Sequence, residues 1–352
     1  VFSRRLNWSE ESNALSALLA AKRSYLDLTQ SNPTKAGFEY PAISLPAALH
    51  YDPDPRGLES AREAVSRYYG GAMRPDQILL TASTSEAYSY IFKLLADPGD
   101  EVLVPRPSYP LFEFLARLES LNVRQYPLRY DGAWHIDFAS LESLITDRTR
   151  AIVLVNPNNP TGSYLKRDEL ERLKAFRVPI VSDEVFSDYA FGRDDTRVER
   201  LVGTFSMSGL SKIAGLPQMK LGWIATRDEE ALHRLELIAD TYLSVATPVQ
   251  LALPELLRNS VGDQIRARTA ANLAWLRSQI QPLNVEGGWY ATLQVPRVRS
   301  EEEWCLMLLR DHDVLVQPGF FFDFESEAYL VVSLLTEPAI FEEGIRRIAS
   351  IV

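Results

Sequence analysis

Between residues 77 and 240 of this 352-residue chain, short apolar runs alternate with helical patterns, and that alternation limits the fold more than any other feature. The runs lie at 78–80, 101–104, 151–155, 178–181, 202–205 and 221–225, with helical periodicity near 85–95, 110–118 and 167–176. Continuous apolar strands joined by helices are the signature of a parallel sheet buried on both faces. In such a sheet ligands gather at the carboxyl ends of the strands, so the residues just after each run are the ones to inspect. Upstream, apolar spacing predicts an amphipathic helix over 9–23, a short strand over 26–28 and a helix along 58–69.

Each strand end carries polar chemistry with two possible uses. After the first run, Thr81-Ala82-Ser83-Thr84-Ser85-Glu86-Ala87 opens a helix with small and hydroxylated residues. Free N–H groups and hydroxyls at a helix N-terminus suit a phosphate, or they serve as a plain N-cap. After the second, Pro105-Arg106-Pro107-Ser108-Tyr109-Pro110 is a rigid turn that presents Tyr109 either to a planar ligand or to the core. After the third, Asn156-Pro157-Asn158-Asn159-Pro160-Thr161-Gly162 offers amide donors to a ligand or to its own backbone. After the fourth, Asp183 follows Ile180 and Val181, where a buried carboxylate needs a cationic partner.

The stretch from Ser206 to Trp223 places Lys212 in a small-residue turn, with a second cation at Lys220. Taken alone, the segment reads as a surface loop with solvated lysines. A partly desolvated lysine amine, by contrast, deprotonates easily and attacks carbonyls. With the four strand ends it completes a set: an anion cradle, an aromatic plate, an amide, a carboxylate and an amine. That set is what pyridoxal 5'-phosphate needs from a protein.

Charge and cysteine usage narrow the classes further. A net charge of -10 with no basic patch argues against nucleic acid and anionic membrane as partners. Cys305 is the single cysteine, which excludes an internal disulfide and fits a reducing, cytoplasmic setting. The histidines at 50, 135, 233 and 312 lack ligand spacing, so no metal site is expected. Neither a membrane-spanning apolar stretch nor a signal-peptide pattern is present in the sequence.

Asn156 to Gly162, Ser182-Asp183-Glu184-Val185, Gly209-Leu210-Ser211-Lys212 and the Tyr109 turn occur in one order along the chain. In that order the sequence resembles the class I/II aminotransferases, fold-type I enzymes that depend on pyridoxal phosphate. The resemblance implies an α/β fold with a large domain, over 35–236, built on a mostly parallel seven-stranded sheet sandwiched by helices. A smaller α+β domain would combine 1–34 with 237–352. Its pieces would be a helix near 263–280, a strand near 289–295, a helix near 301–311, a strand near 329–334 and a final helix.

The resemblance also implies residue roles. Lys212 would carry the cofactor as an aldimine and move the substrate proton, while Asp183 would keep the ring nitrogen protonated. Asn159 would bond the ring hydroxyl and Tyr109 would stack on the ring. Thr84, Ser85, Ser211 and Lys220 would hold the phosphate, and Tyr51 would reach the partner's phosphate across a homodimer. The implied reaction moves an amino group between an amino donor and a keto acid or aldehyde. Two alternatives keep the cofactor: a β-eliminating carbon–sulfur lyase, and a noncatalytic pyridoxal-phosphate-binding protein.

Several positions depart from the family pattern. Lys220 stands where arginine is usual, Gln218 where a small residue is usual, and Phe186 where a tyrosine often bonds the ring hydroxyl. Val331 stands where an arginine commonly pairs with the substrate carboxylate. Lys35 and Arg56 are nonspecific candidates to replace that arginine, and the segment from Pro318 to Phe322 with Trp289 suggests an apolar entrance.

Overall fold

The structure is a computed structural model that describes residues 2–6, 8, 13–47 and 50–352. Residues 9–12 of the expected first helix lie outside the described residues. The helix α1 (Ala14–Ala21) starts where Asn13 Oδ1 accepts from the Ser16 amide at 2.8 Å. It is followed by β1 (Leu26–Asp27), α2 (Glu59–Tyr68), β2 (Ile78–Thr81), α3 (Thr84–Leu95), β3 (Glu101–Arg106) and α4 (Leu111–Leu118). Then come β4 (Asn122–Tyr130), β5 (Trp134–Ile136), α5 (Phe138–Leu144), β6 (Thr149–Val155), α6 (Arg167–Ala175), β7 (Ile180–Asp183), β8 (Phe205–Gly209), the short α7 (Leu210–Ile213) and β9 (Gly222–Ala225).

These strands form one eight-stranded sheet in the order β2-β9-β8-β7-β6-β3-β4-β5. The pairs from β4 through β3, β6 and β7 to β8 are parallel, while β9 runs antiparallel to both β2 and β8. The sheet therefore has one strand more than the expected seven. At its edge, β5 turns back antiparallel on β4, pairing Leu128 with Ile136 and Tyr130 with Trp134. The strand expected at 202–205 lies instead at Phe205–Gly209, because Ser206 and Ser208 are as deeply buried as the apolar residues beside them. Apolarity alone misplaces a strand built from small polar residues.

Side chains alternate across the sheet as strand geometry requires. Val102, Val104 and Val153 face a layer containing Tyr88, Ile91 and Phe92 of α3. Leu103, Ile152 and Leu154 face the opposite layer, with Leu141 of α5 and Leu173 of α6. Two helices then extend this body. α8 (Glu229–Tyr242) sends Leu232, Leu235 and Ala239 into the α3 layer, and α9 (Thr247–Leu256) packs Val249, Leu253 and Leu256 beside Ile78 and Trp223. The expected division at 236 thus falls inside α8, and the chain stays against the large sheet as far as Leu256.

The remaining elements are α10 (Val261–Gln279), β10 (Tyr290–Gln294), α11 (Glu301–His312), β11 (Val314–Leu315), β12 (Gln317–Pro318), β13 (Tyr329–Ser333) and α12 (Pro338–Ala349). β10, β13 and β12 make an antiparallel three-stranded sheet, and β1 pairs in parallel with β11. That pairing ties the first strand of the chain to residues 314–315. Among the described residues, no helix is long and apolar enough to cross a membrane.

Candidate active site

A cavity of about 180 Å³ opens at the carboxyl ends of β6 and β7. Thr84, Ser85, Tyr109, Asn159, Asp183, Ser211 and Lys212 all line it, so seven separately motivated residues meet in one place. Lys220 and Tyr51 do not line it. Lys220 is exposed at the left-handed end of the 3-10 turn Pro217–Met219. Tyr51 is 75% exposed and borders a separate depression with Asp52 and Pro53.

Asp183 ends β7 and faces the cavity. Its carboxylate accepts from the Tyr88 hydroxyl at 3.3 Å and from the Val185 amide at 3.2 Å. Burial pushes its pKa up to about 6, against the pull of these bonds and of Lys212. The neighbouring Glu184 points elsewhere, accepting from the Leu201 and Val202 amides at 2.8 and 2.9 Å and from Ser206 Oγ at 2.8 Å. The two adjacent acids therefore divide: one faces the cavity and the other anchors the chain leading into β8.

Lys212 sits on α7, immediately after β8. Gly209 and Gly222 face each other across the β8–β9 pair so closely that a Cβ on Gly209 would lie 2.9 Å from Gly222 Cα. The Lys212 carbonyl accepts from the Tyr189 hydroxyl at 2.6 Å, which fixes the backbone beneath the side chain. Its Nζ lies 5.1 Å from the Trp289 ring centre and 5.8 Å from that of Phe186. Burial pulls the amine pKa down, with Asp183 partly opposing the shift.

The three asparagines after β6 separate by their hydrogen bonds. Asn156 donates to the Val198 carbonyl at 2.6 Å and accepts from the Leu165 amide at 2.8 Å. Asn158 donates to the Pro107 carbonyl at 3.0 Å and to Thr161 Oγ1 at 2.9 Å, and accepts from Ser108 Oγ at 2.9 Å. Those two hold the loop together. Asn159 Oδ1 is buried without a partner, a state that costs stability unless a ligand completes it.

At the start of α3, the residues of the hydroxyl cluster occupy different places. Ser83 is the N-cap, accepting from the Glu86 amide at 3.2 Å. Thr84 and Ser85 are left to line the cavity beside the first turn of the helix. The Glu86 carboxylate turns away to the Ala82 amide at 2.6 Å and to Ser244 Oγ at 2.7 Å.

Other cavity residues escaped sequence reasoning. Tyr88 lies one turn along α3 from Thr84, so helical spacing could have found it. Ser31 and Tyr290 come from distant segments and carry no local signal. Phe186 lines the cavity, whereas Val331 is fully buried in a cluster with Trp289 and Tyr290 and does not. Trp289 belongs to the same buried cluster, so it forms core and no exposed entrance. Arg56 is engaged by Glu236, at 2.6 Å and 2.7 Å, and Lys35 is exposed.

Gly162 closes the asparagine loop with φ of 70°, and a Cβ there would lie 2.6 Å from the Gly287 carbonyl oxygen. Its own carbonyl accepts from the Glu286 and Gly287 amides at 3.1 and 2.9 Å. Gly162→Ala is expected to destabilise the protein by about 2–3 kcal/mol through steric and left-handed strain. Denaturant unfolding of the two proteins measures this, and an unchanged midpoint would refute it.

Comparison with known proteins gives these features a family. Residues 25–348 match the family described as aminotransferase class I and II. A nicotianamine aminotransferase B of Hordeum vulgare is 28% identical over 329 residues, covering 84% of this chain and 59% of that protein. The chain therefore spans less than two thirds of that relative. An S-alkyl-thiohydroximate lyase of Arabidopsis thaliana is 26% identical over 297 residues, covering 75% of this chain and 64% of that protein. Among solved structures, an alanine aminotransferase from Pyrococcus furiosus superposes with a TM-score of 0.82 at 24% identity, over 96% of this chain and 94% of that one. A family match running almost from end to end, on a fold shared with a solved member, shows that this chain belongs to the class I and II aminotransferases.

Proposed function

We propose that the protein is a pyridoxal-phosphate-dependent aminotransferase that moves an amino group from an amino donor to a keto acid or aldehyde. The observation that carries this reading is the meeting of Lys212, Asp183 and the partnerless Asn159 Oδ1 in one cavity. These residues fit pyridoxal phosphate: an amine for its aldehyde, an anion for its ring nitrogen, and an unpaired amide oxygen that can accept from its ring hydroxyl. When bound, the cofactor supplies an electron sink for the substrate carbon that loses its proton.

The protein's own groups divide the remaining work. Lys212 is the nucleophilic amine and then the proton carrier, a role suited to a lysine whose pKa burial pulls down. Asp183 in its ionised form would hold positive charge on the ring nitrogen. With pyridoxal phosphate bound, Tyr109 would lie against the ring, and Thr84, Ser85, Ser211 and the N-terminal amides of α3 would hold the phosphate. Exposure of Tyr51 supports a role reaching the partner subunit of a homodimer. Lys220, exposed and outside the cavity lining, is the least supported of the phosphate ligands. We place the boundary of the large domain after α9, on the packing of Val249, Leu253 and Leu256. The cytoplasm is the proposed compartment, on the single buried cysteine.

Absorbance of the holoenzyme tests this reading. The cofactor band is expected to shift when an amino donor is added and to return when a keto acid follows. No shift with any donor across a panel of amino acids and amines would overturn it. The lyase relative favours one second reading, β-elimination from a β-substituted cysteine. Release of pyruvate and ammonia with no acceptor present would establish that reading instead.

A further inference from the structure

The segment between β12 and β13 crosses from the small sheet to the edge of the large one. It runs through the 3-10 turn Gly319–Phe322 and then Asp323, Phe324 and Glu325. Each of these residues beyond the turn meets the large sheet. Asp323 Oδ2 accepts from Gln125 Nε2 of β4 at 2.7 Å. The Phe324 ring meets that of Trp134 of β5 edge-on, with centres 6.1 Å apart, and stacks on Tyr329. Glu325 takes one arginine on each carboxylate oxygen: Arg106 at the end of β3 and Arg129 of β4.

The same strap holds the turn that carries Tyr109. Arg106 opens that turn, and the Ser108 amide donates to the Phe322 carbonyl at 2.9 Å. From the other side, Asn158 grips Ser108 Oγ and the Pro107 carbonyl. Tyr109 itself is 47% exposed and lines the cavity from this turn. Side-chain exposures of 36% for Arg106, 31% for Glu325 and 48% for Arg129 make the clasp weak and sensitive to salt.

We propose that Glu325 is a positioning residue for Tyr109: by clasping Arg106 and Arg129 it fastens the strap to the end of β3 and so holds the Tyr109 ring over the cofactor cavity. This rests on reading the cavity as a pyridoxal phosphate site. The carboxylate acts through the turn and touches neither cofactor nor substrate. Glu325→Gln keeps the side chain's size and removes the carboxylate that pairs with Arg106, while Arg129 keeps Asp137 at 3.1 Å.

Two measurements test the proposal. In cofactor-free protein, hydrogen exchange at the Ser108 amide is expected to be about fivefold faster in Glu325→Gln than in wild type. Titration with pyridoxal phosphate at low salt is expected to give a Kd about fivefold higher, a difference that shrinks as salt is raised. If Glu325 acts through Tyr109, the Kd difference disappears when Glu325→Gln is made in a Tyr109→Ala background. Unchanged Ser108 exchange, or the same change in Kd with and without Tyr109, would overturn the proposal. Wild type that binds no pyridoxal phosphate would overturn the cofactor reading, while Ser108 exchange would still decide whether Glu325 holds the turn.

Discussion

Lys212→Ala is expected to abolish covalent capture of pyridoxal phosphate and to lower kcat/KM by about 10⁴-fold or more, because one side chain supplies both the attacking amine and the proton carrier. The loss follows from geometry. Burial lowers the Lys212 pKa with Asp183 opposing it, and no other lysine or arginine lines the cavity among the described residues. Borohydride reduction of the holoprotein followed by peptide mass analysis measures it: the wild-type peptide containing Lys212 gains the cofactor mass and the variant gains none. Labelling of another lysine at full stoichiometry would sink the assignment. The variant is also expected to melt no lower than wild type without cofactor, since an amine enclosed by the Phe186 and Trp289 rings is costly to keep charged.

Asp183→Asn is expected to lower kcat by about 10²–10³-fold, the usual scale for removing one preorganised electrostatic partner. Asparagine preserves volume, its Oδ1 can still accept from the Val185 amide and its Nδ2 can donate to the Tyr88 hydroxyl, so the change chiefly removes charge. The pH dependence has a defined sign. The folded pKa of about 6 lies above the ordinary 3.8, so burial favours the protonated acid. In cofactor-free protein this group's contribution to stability is complete below the ordinary value and is lost as pH rises through about 6. Cofactor binding runs the other way, because the ring nitrogen needs the anion. Affinity for pyridoxal phosphate should therefore weaken in wild type as pH falls through about 6 and lose that step in Asp183→Asn. Equal pH profiles for the two proteins would show that Asp183 does not hold the ring.

Asp183, Asn159 and Lys212 could be read from sequence because each is an unusual residue type at the end of a buried strand, where burial without a partner is costly. Their company mattered as much as their identity, since each alone had an ordinary structural explanation. What escaped was set by contacts distant in sequence. Ser31 and Tyr290 reach the cavity from the two ends of the chain. β4 hid because only Tyr126 and Pro127 are buried and Asn122, Arg124, Gln125 and Arg129 interrupt its sequence, which removes the continuous apolar run of a central strand. Val331 was expected near a substrate carboxylate and instead lies in core, behind the Phe186 and Tyr290 side chains that line the wall. Position along β13 could be inferred, but the direction in which its side chain is covered depends on neighbours from other elements.

The close approach of Gly209 and Gly222 has a consequence beyond room for two backbones. A Cβ on Gly222 would also lie 3.2 Å from the Ser83 carbonyl carbon and 3.3 Å from Thr81 Oγ1, so this glycine touches the strand before Lys212 and the start of α3 together. The distance between the amine's pivot and the helix end is thereby locked as a single dimension of the scaffold. Sequence drift on the small-sheet side can reshape what enters the cavity while that dimension stays constant. Any side chain at Gly222 would lengthen it and detune both ends at once.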